Sequence, residues 1–341
     1  MKRVRQAAAS GSAGTSPGID SSRDRIARSI RTISGDEDYN DWEPRTISWG
    51  LLIGNLAGNL LPLLALGAGV HNAWQKGFGW PLFAITAIMY VMTALGITVG
   101  FHRLFTHRSF KTSPVVTLIA GILGSMALQG PVIQWVGMHR LHHRYSDDRG
   151  DPHSPYVLGT EVLGGLRGFL HAHILWLFTH DVPDYRKYVK DLQADPWVVF
   201  VDRLFFVWVL LGLAIPAAVA GGIYGTWRGV WMGFLWGGLI RIFLLHQVTY
   251  GVNSFCHVWG QRSFRTRDDS RDNWLFGVLG LGDGWHNGHH AFPTSARHGL
   301  LTGQLDFSYA VIRILDRMGL ARDIVIPTEA DIHAKRHHQG P

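Results

Sequence analysis

Four stretches of this chain are long and apolar enough to cross a bilayer, and they limit its fold more than any other feature. They run roughly Ile47–Val70, Trp80–Gly100, Val199–Tyr224 and Val230–Gly251. Spanning takes about 20 apolar residues as a helix. In hydrocarbon each segment must satisfy its own backbone polar groups, which makes helix the expected form. Short turns join the first two stretches (His71–Gly79) and the last two (Gly225–Gly229), predicting two transmembrane hairpins. Composition agrees: of 341 residues 47% are hydrophobic, 14 are Trp and only 17% are charged, where soluble domains carry about 25% charged residues.

Charge supplies an orientation. Arg23, Arg25, Arg28, Arg31 and Arg45 precede the first span, while the two turns carry only Lys76 and Arg228. The positive-inside bias then predicts cytoplasmic termini. The net charge of +7 is concentrated outside the spans and suits a membrane surface or anionic headgroups. No nucleic-acid recognition motif accompanies it, and no nucleic-acid partner is expected. Residues 1–40 read as a flexible, Ser/Gly/Arg-rich tail, 41–320 as the membrane domain and 321–341 as a C-terminal tail. No apolar h-region opens the chain, so a cleaved secretory signal is not expected. The single cysteine, Cys256, excludes an intrachain disulfide or a CxxC metal site.

The histidines carry the chemistry. His139, His142 and His143 in HRLHH repeat the spacing of His286, His289 and His290 in HNGHH. At about 100° per residue, positions i, i+3 and i+4 fall in one sector of a helix. HRLFTH adds His102 and His107, and NSFCH places Asn253 and His257 at i and i+4. Imidazole serves iron, copper and zinc alike, and this many converging rings predict two metal ions. His102 and His107 are the awkward pair, because i and i+5 lie about 140° apart on a regular helix. They are expected to meet only if the helix breaks between them. Asp147, Asp148, Asp151 and Asp283 are candidates to orient imidazole N–H groups. The isolated His71, His153, His171, His173, His180, His246 and His298, and His333, His337 and His338 near the C-terminus, read as ordinary core or surface histidines.

A fifth apolar run, Val115–Trp135, tests the topology. Were it to cross the membrane, it would part His102 and His107 from HRLHH, and Gly130-Pro131 interrupts it as a helix. It is expected to be re-entrant or interfacial. With four spans, every histidine group falls on the cytoplasmic side. The fold class predicted is therefore an all-α integral membrane protein, its four helices topped by a cytoplasmic helical cap holding a dinuclear site.

HRLFTH, HRLHH and HNGHH resemble the three histidine boxes of the membrane-bound fatty acid desaturases. The longer strings HRLHHRYSDDRGDPHSP, NSFCHVWG and GDGWHNGHHAFPTSARHGL resemble the acyl-CoA Δ9 (stearoyl-CoA type) branch, and the likeness covers roughly residues 45–315. The resemblance implies insertion of a cis double bond into a saturated acyl chain, with two iron ions as cofactor, O2 as co-substrate and acyl-CoA as the favoured substrate. It implies His102, His107, His139, His142, His143, His257, His286, His289 and His290 as ligands, with Asn253 binding directly or through water. It places Gln129, Trp135 and Thr249 near the bend of an acyl tunnel. Arg140 and Arg144 are candidates to meet CoA phosphates or lipid headgroups. With no cytochrome b5-like or ferredoxin-like segment present, electrons are expected from a separate electron-transfer protein and its reductase.

Two other functions share part of this pattern. A di-iron hydroxylase or alkane monooxygenase would use the same boxes. A metal transporter would need ionisable groups inside the spans to form a pathway; in the fourth span the candidates are Arg241 and His246.

Overall fold

The computed structural model describes residues 47–159, 161–179 and 184–337; the tail expected over 1–40 lies outside them, as do His180 and His338. The protein is mostly helical, and four helical stretches are long and apolar enough to span a membrane: Trp49–Gln75, Trp80–Thr106, Phe205–Tyr224 and Trp227–Val258. The first is helix α1 (Trp49–Lys76), whose N-terminus is capped by the Ser48 hydroxyl. The second is α2 (Trp80–Leu95), which continues as a π-helical segment over Gly96–Thr106.

The fifth apolar run folds as two helices, neither long enough to span a bilayer by itself. Helix α3 (Pro114–Ser125) is only 12 residues long, and helix α4 (Val132–Tyr145) carries HRLHH. Between them the chain turns sharply, with φ of 58° at Leu128 and 106° at Gly130. Asp202 caps the new helix by accepting from the Ile133 amide at 2.8 Å. The third span is α5 (Phe205–Tyr224). The fourth is continuous through α6 (Trp227–Gly233), a π-helical segment (Phe234–Ile240) and α7 (Arg241–Val258). The last histidine triplet sits on the short helix α8 (His286–Ala291).

Packing departs from simple hairpins. The third and fourth spans do pack together, but α1 packs chiefly on the Phe234–Ile240 segment and α7 of the fourth span, not on α2. Gly69 permits this, since a Cβ there would stand 2.4 Å from Ile240 Cδ1. The rest of α1 faces outward: Ile53, Leu56, Leu61 and Leu64 are all exposed. A 27-residue apolar helix with so little of itself buried needs a lipid surround. Exposed Trp49, Trp74, Trp80 and Trp227 mark helix ends, where indole rings favour the membrane–water interface.

Beneath the histidines, Ile97, Phe101 and Phe105 of the second span pack with Val132 and Val136 of α4 and Leu245 of α7. Residues 321–337, read from sequence as part of a tail, pack against the rest of the fold. Ala321 and Arg322 pair with Thr112 and Lys111, and Ile332 is buried with Phe264, Ala291 and Leu300. The apolar residues that anchor this segment are too few and too widely spaced to show a periodicity.

Candidate metal centre

The second span delivers His102 and His107 to one place at the end of its helix. The helix is π-wound from Gly96, and the His107 amide donates to the His102 carbonyl at 3.1 Å, an i→i+5 turn. Five-residue stacking brings the two rings to 5.0 Å centroid to centroid. The helix ends at Thr106, between the two histidines, and its last 11 residues are π-wound. Helix α4 contributes His139, His142 and His143, α7 contributes His257, and α8 contributes His286, His289 and His290.

These nine rings divide into two nests. His102, His107, His139, His143 and His289 form one, and His142, His257, His286 and His290 form the other; within each, the potential ligand nitrogens all lie within 4.8 Å of one another. The Nε2 atoms of His289 and His143 are 2.9 Å apart, those of His102 and His289 3.0 Å, and those of His257 and His286 3.0 Å. HRLHH and HNGHH are each split, so that both triplets serve both nests.

Carboxylates fix the rings from behind. Nδ1 of His102 donates to Asp283 at 2.9 Å, that of His142 to Asp151 at 3.0 Å, that of His257 to Asp147 at 3.0 Å and that of His290 to Asp268 at 2.8 Å. A carboxylate on Nδ1–H sets the tautomer and leaves the Nε2 lone pair free for a metal. Sequence reading had named Asp147, Asp151 and Asp283; Asp268 was missed, because it lies 22 residues from its partner in a loop. Ser270 locks it with its own amide (3.2 Å) and hydroxyl (2.5 Å). Burial pushes the Asp268 and Asp283 carboxyls up. Against this, His290 pulls Asp268 below the usual carboxylate range, and His102 with Arg103 does the same for Asp283.

The donor set suits a pair of cations. Burial first, and then neighbouring imidazoles, hold His107, His139, His142, His143, His286 and His289 well below the ordinary histidine pKa, so these rings are neutral at pH 7. Bare Nε2 lone pairs at such separations repel one another unless a cation lies among them. His107 Nε2 is buried with no hydrogen-bond partner, as a ligand nitrogen would be. Two histidines read as ordinary also approach the nests. His298 sits 4.3 Å from the His289 ring and 5.1 Å from His102, and His153 sits 4.4 Å from His142. Only tertiary folding brings them there; neither has the spacing of a box.

A cavity of about 400 Å³ runs up to the centre between α1, the α3–α4 turn, the start of α5 and α7. Its wall includes His139, Asn253, Gln129, Trp135 and Thr249. The last three form a chain: Trp135 Nε1 donates to Gln129 Oε1 at 3.2 Å, and Gln129 Nε2 donates to Thr249 Oγ1 at 2.8 Å. Trp135 also stacks on His139, with centroids 5.1 Å apart. Asn253 stands one helical turn before His257, on the same cavity wall.

Arg140 is taken up by protein partners. It grips Asp191 through Nη1 and Nη2 at 2.7 and 2.9 Å and donates to the carbonyls of Phe105, Thr106 and Tyr188. Its site was occupied by structural partners that sequence spacing does not reveal. Arg144 is exposed and lies over the Tyr145 and Tyr188 rings.

A family model of fatty acid desaturases matches residues 78–302, which include all nine clustered histidines. The chain belongs to the fatty acid desaturase family. It is 39% identical over 280 residues to the hex-5-enoyl-(acyl-carrier protein) acetylenase of Moorena producens (strain JHB), covering 82% of this chain and 87% of that one. It is 35% identical over 296 residues to the sn-1 stearoyl-lipid 9-desaturase of Synechocystis sp., covering 85% and 84%. To the acyl-CoA C20 Delta5-desaturase of Anemone leveillei it is 36% identical over 299 residues, covering 86% of each. As a desaturase-family protein with four apolar helices and histidine nests able to hold metal, it is a membrane-associated oxidoreductase of fatty acyl metabolism.

Proposed function

We propose that the protein is a di-iron, O2-dependent desaturase that inserts a cis double bond at the Δ9 position of a saturated acyl chain, with acyl-CoA as the carrier. The observation that carries this reading is the pair of imidazole nests at the head of the cavity. An unactivated methylene has no acidic proton, so the site's residues alone offer no acid–base route to it. Two bound iron ions would supply the oxidation that such a C–H bond requires. Overall, two C–H bonds break and a C=C bond forms, while O2 takes up those hydrogens with two electrons and two protons to give two waters. The electrons would come from a separate electron-transfer protein served by its own reductase.

The nine histidines are the proposed ligands, five to one ion and four to the other, with Asn253 completing the smaller set directly or through water. Asp147, Asp151, Asp268 and Asp283 hold the imidazole rings in their ligating tautomer. The acyl chain would lie in the cavity and bend at the Gln129–Trp135–Thr249 wall, which fixes the methylenes presented beside His139. Position is what selects among chemically equal CH2 groups. Of the two cations considered for the headgroup, the exposed Arg144 is the proposed contact, since Arg140 is taken up by protein partners. The Arg/Lys bias of the sequence supports a cytoplasmic active site and cytoplasmic termini.

The chemical test is expression in a host lacking desaturase, with fatty acids analysed by gas chromatography. New cis monoenes, lost in His143→Ala, are the expected result. Hydroxylated chains would instead support an oxygen-inserting relative of the same site. Assays of membranes with acyl-CoA, acyl-lipid and acyl-carrier-protein substrates separate the carriers. Conversion of the lipid or carrier-protein form alone would overturn the CoA assignment.

A further inference from the structure

Arg241 is fully buried within the fourth span, and among the described residues no carboxylate pairs with it. Its donors go to backbone carbonyls: Nη1 to Met126 at 2.7 Å, Nη2 to Gly212 at 3.0 Å and Nε to Gly237 at 3.2 Å. One turn and a residue further along α7, His246 Nε2 donates to the Ala127 carbonyl at 3.0 Å, and Tyr250 meets the other ring nitrogen at 3.3 Å. Both groups are closed in by backbone and so line no ion path.

Met126 and Ala127 are the first residues beyond the C-terminus of α3. A helix that stops inside the apolar region leaves carbonyls that water cannot reach, and its dipole end is negative. A guanidinium and an imidazole N–H satisfy both demands. The next residue, Leu128, is held at φ 58°, a conformation unfavourable for leucine that persists only where its surroundings impose it. Gln129 follows and forms the cavity wall with Trp135 and Thr249. Arg241, His246, Thr249 and His257 all belong to α7. One helix therefore fixes the α3–α4 turn at three points and also carries a member of the metal centre.

We propose that Arg241 and His246 are positioning residues that set the depth of the acyl bend relative to the metal centre, and so determine where the double bond is placed. This rests on the desaturase reading above. With the strap intact, the turn from Met126 to Gly130 cannot shift along α7. Without it, the Gln129 wall is free to relax by a fraction of a residue while the histidine nests stay fixed.

The test is the position of the double bond, read by mass spectrometry of derivatised monoenes from cells expressing the full chain, alongside the amount of folded protein and its iron content. The unmodified chain is expected to give one main isomer. Arg241→Met and His246→Phe are expected to raise the share of monoene desaturated at neighbouring carbons about tenfold, because small displacements carry large rate effects. His246→Gln, whose amide can still donate to Ala127, is expected to restore the original isomer. If Arg241→Met yields no folded protein, the two His246 variants carry the test alone. Isomer ratios unchanged in every folded variant, with yield falling only in step with protein, would overturn the proposal. No monoene from the unmodified chain would overturn the desaturase reading itself, and the inference with it.

Discussion

The His107 amide donates to the His102 carbonyl, five residues back, at 3.1 Å. That one bond places two ligand candidates on the same side of a helix that, wound as an ordinary α-helix, would have set them about 140° apart. It belongs to a π-wound segment running from Gly96 to Thr106, a form found mostly where function requires it.

The division into a five-histidine and a four-histidine nest predicts separable metal losses. Iron-loaded protein should bind two ions per chain by elemental analysis. His107→Ala and His290→Ala, one from each nest, should each retain about one, since a ligand removed from one nest leaves the other intact. Loss of both ions in either variant would mean that the nests do not act as two sites.

Asp268→Asn keeps the size of the side chain but cannot hold His290 in the same way, since its amide offers one weaker acceptor. We expect metal affinity about 10–100-fold lower, as other residues that orient a ligand produce, measured by competition with a chelator. Asp195, which caps a helix remote from the nests through the amides of Trp197 and Val198, supplies the control. Asp195→Asn should leave metal affinity unchanged.

Gly96 lies where the second span meets α3, and a Cβ there would stand 2.2 Å from the Gly124 backbone nitrogen. Backbone cannot step aside as a side chain can. Gly96→Ala is expected to cost about 1–3 kcal/mol of stability, read as a lower melting temperature in detergent. An unchanged melting curve would contradict this contact.

Arg140 ties the end of the second span to Asp191. Burial pushes the Asp191 carboxyl up, but Arg140 and then Arg108 pull it below its usual range. Arg140→Ala should lower the melting temperature by a few degrees, as loss of charged hydrogen bonds worth about 2 kcal/mol would. KM for the acyl substrate should not change. A large rise in KM with normal stability would return Arg140 to the headgroup.

Acid should weaken the metal-free protein. His139, His142, His143, His286 and His289 are held low by burial, so below the ordinary pKa of 6.5 the unfolded chain binds protons that the folded chain refuses. Their contribution is complete above 6.5 and is lost progressively as pH falls below it. Asp151 opposes this, because burial and Asp147 push it up to about 8. So do Asp202 and Asp272, which burial pushes up, but the histidines held low outnumber these carboxyls. Melting temperatures of chelator-treated protein should therefore fall between pH 7 and pH 5, and a rise over that interval would refute the argument.

The number of apolar spans, the nine clustered histidines and the interruption at Gly130-Pro131 were all legible in the chain, because length, hydropathy and i, i+3, i+4 spacing are local properties. The winding of the second span was not. An i→i+5 turn leaves no mark in residue identity, and it lies where Gly96 and Gly100 pack closely against α3. Nor could spacing tell that each HxxHH triplet is shared between both nests, since the partners come from four separate segments. The Asp268–His290, His298–His102 and Arg241–Met126 contacts depend on approaches between residues 22 to 196 positions apart in sequence. The sequence by itself determined which chemistry the chain carries and that it lies in a membrane. The tertiary structure alone decided which ring faces which, because only packing sets the distance between groups on different helices.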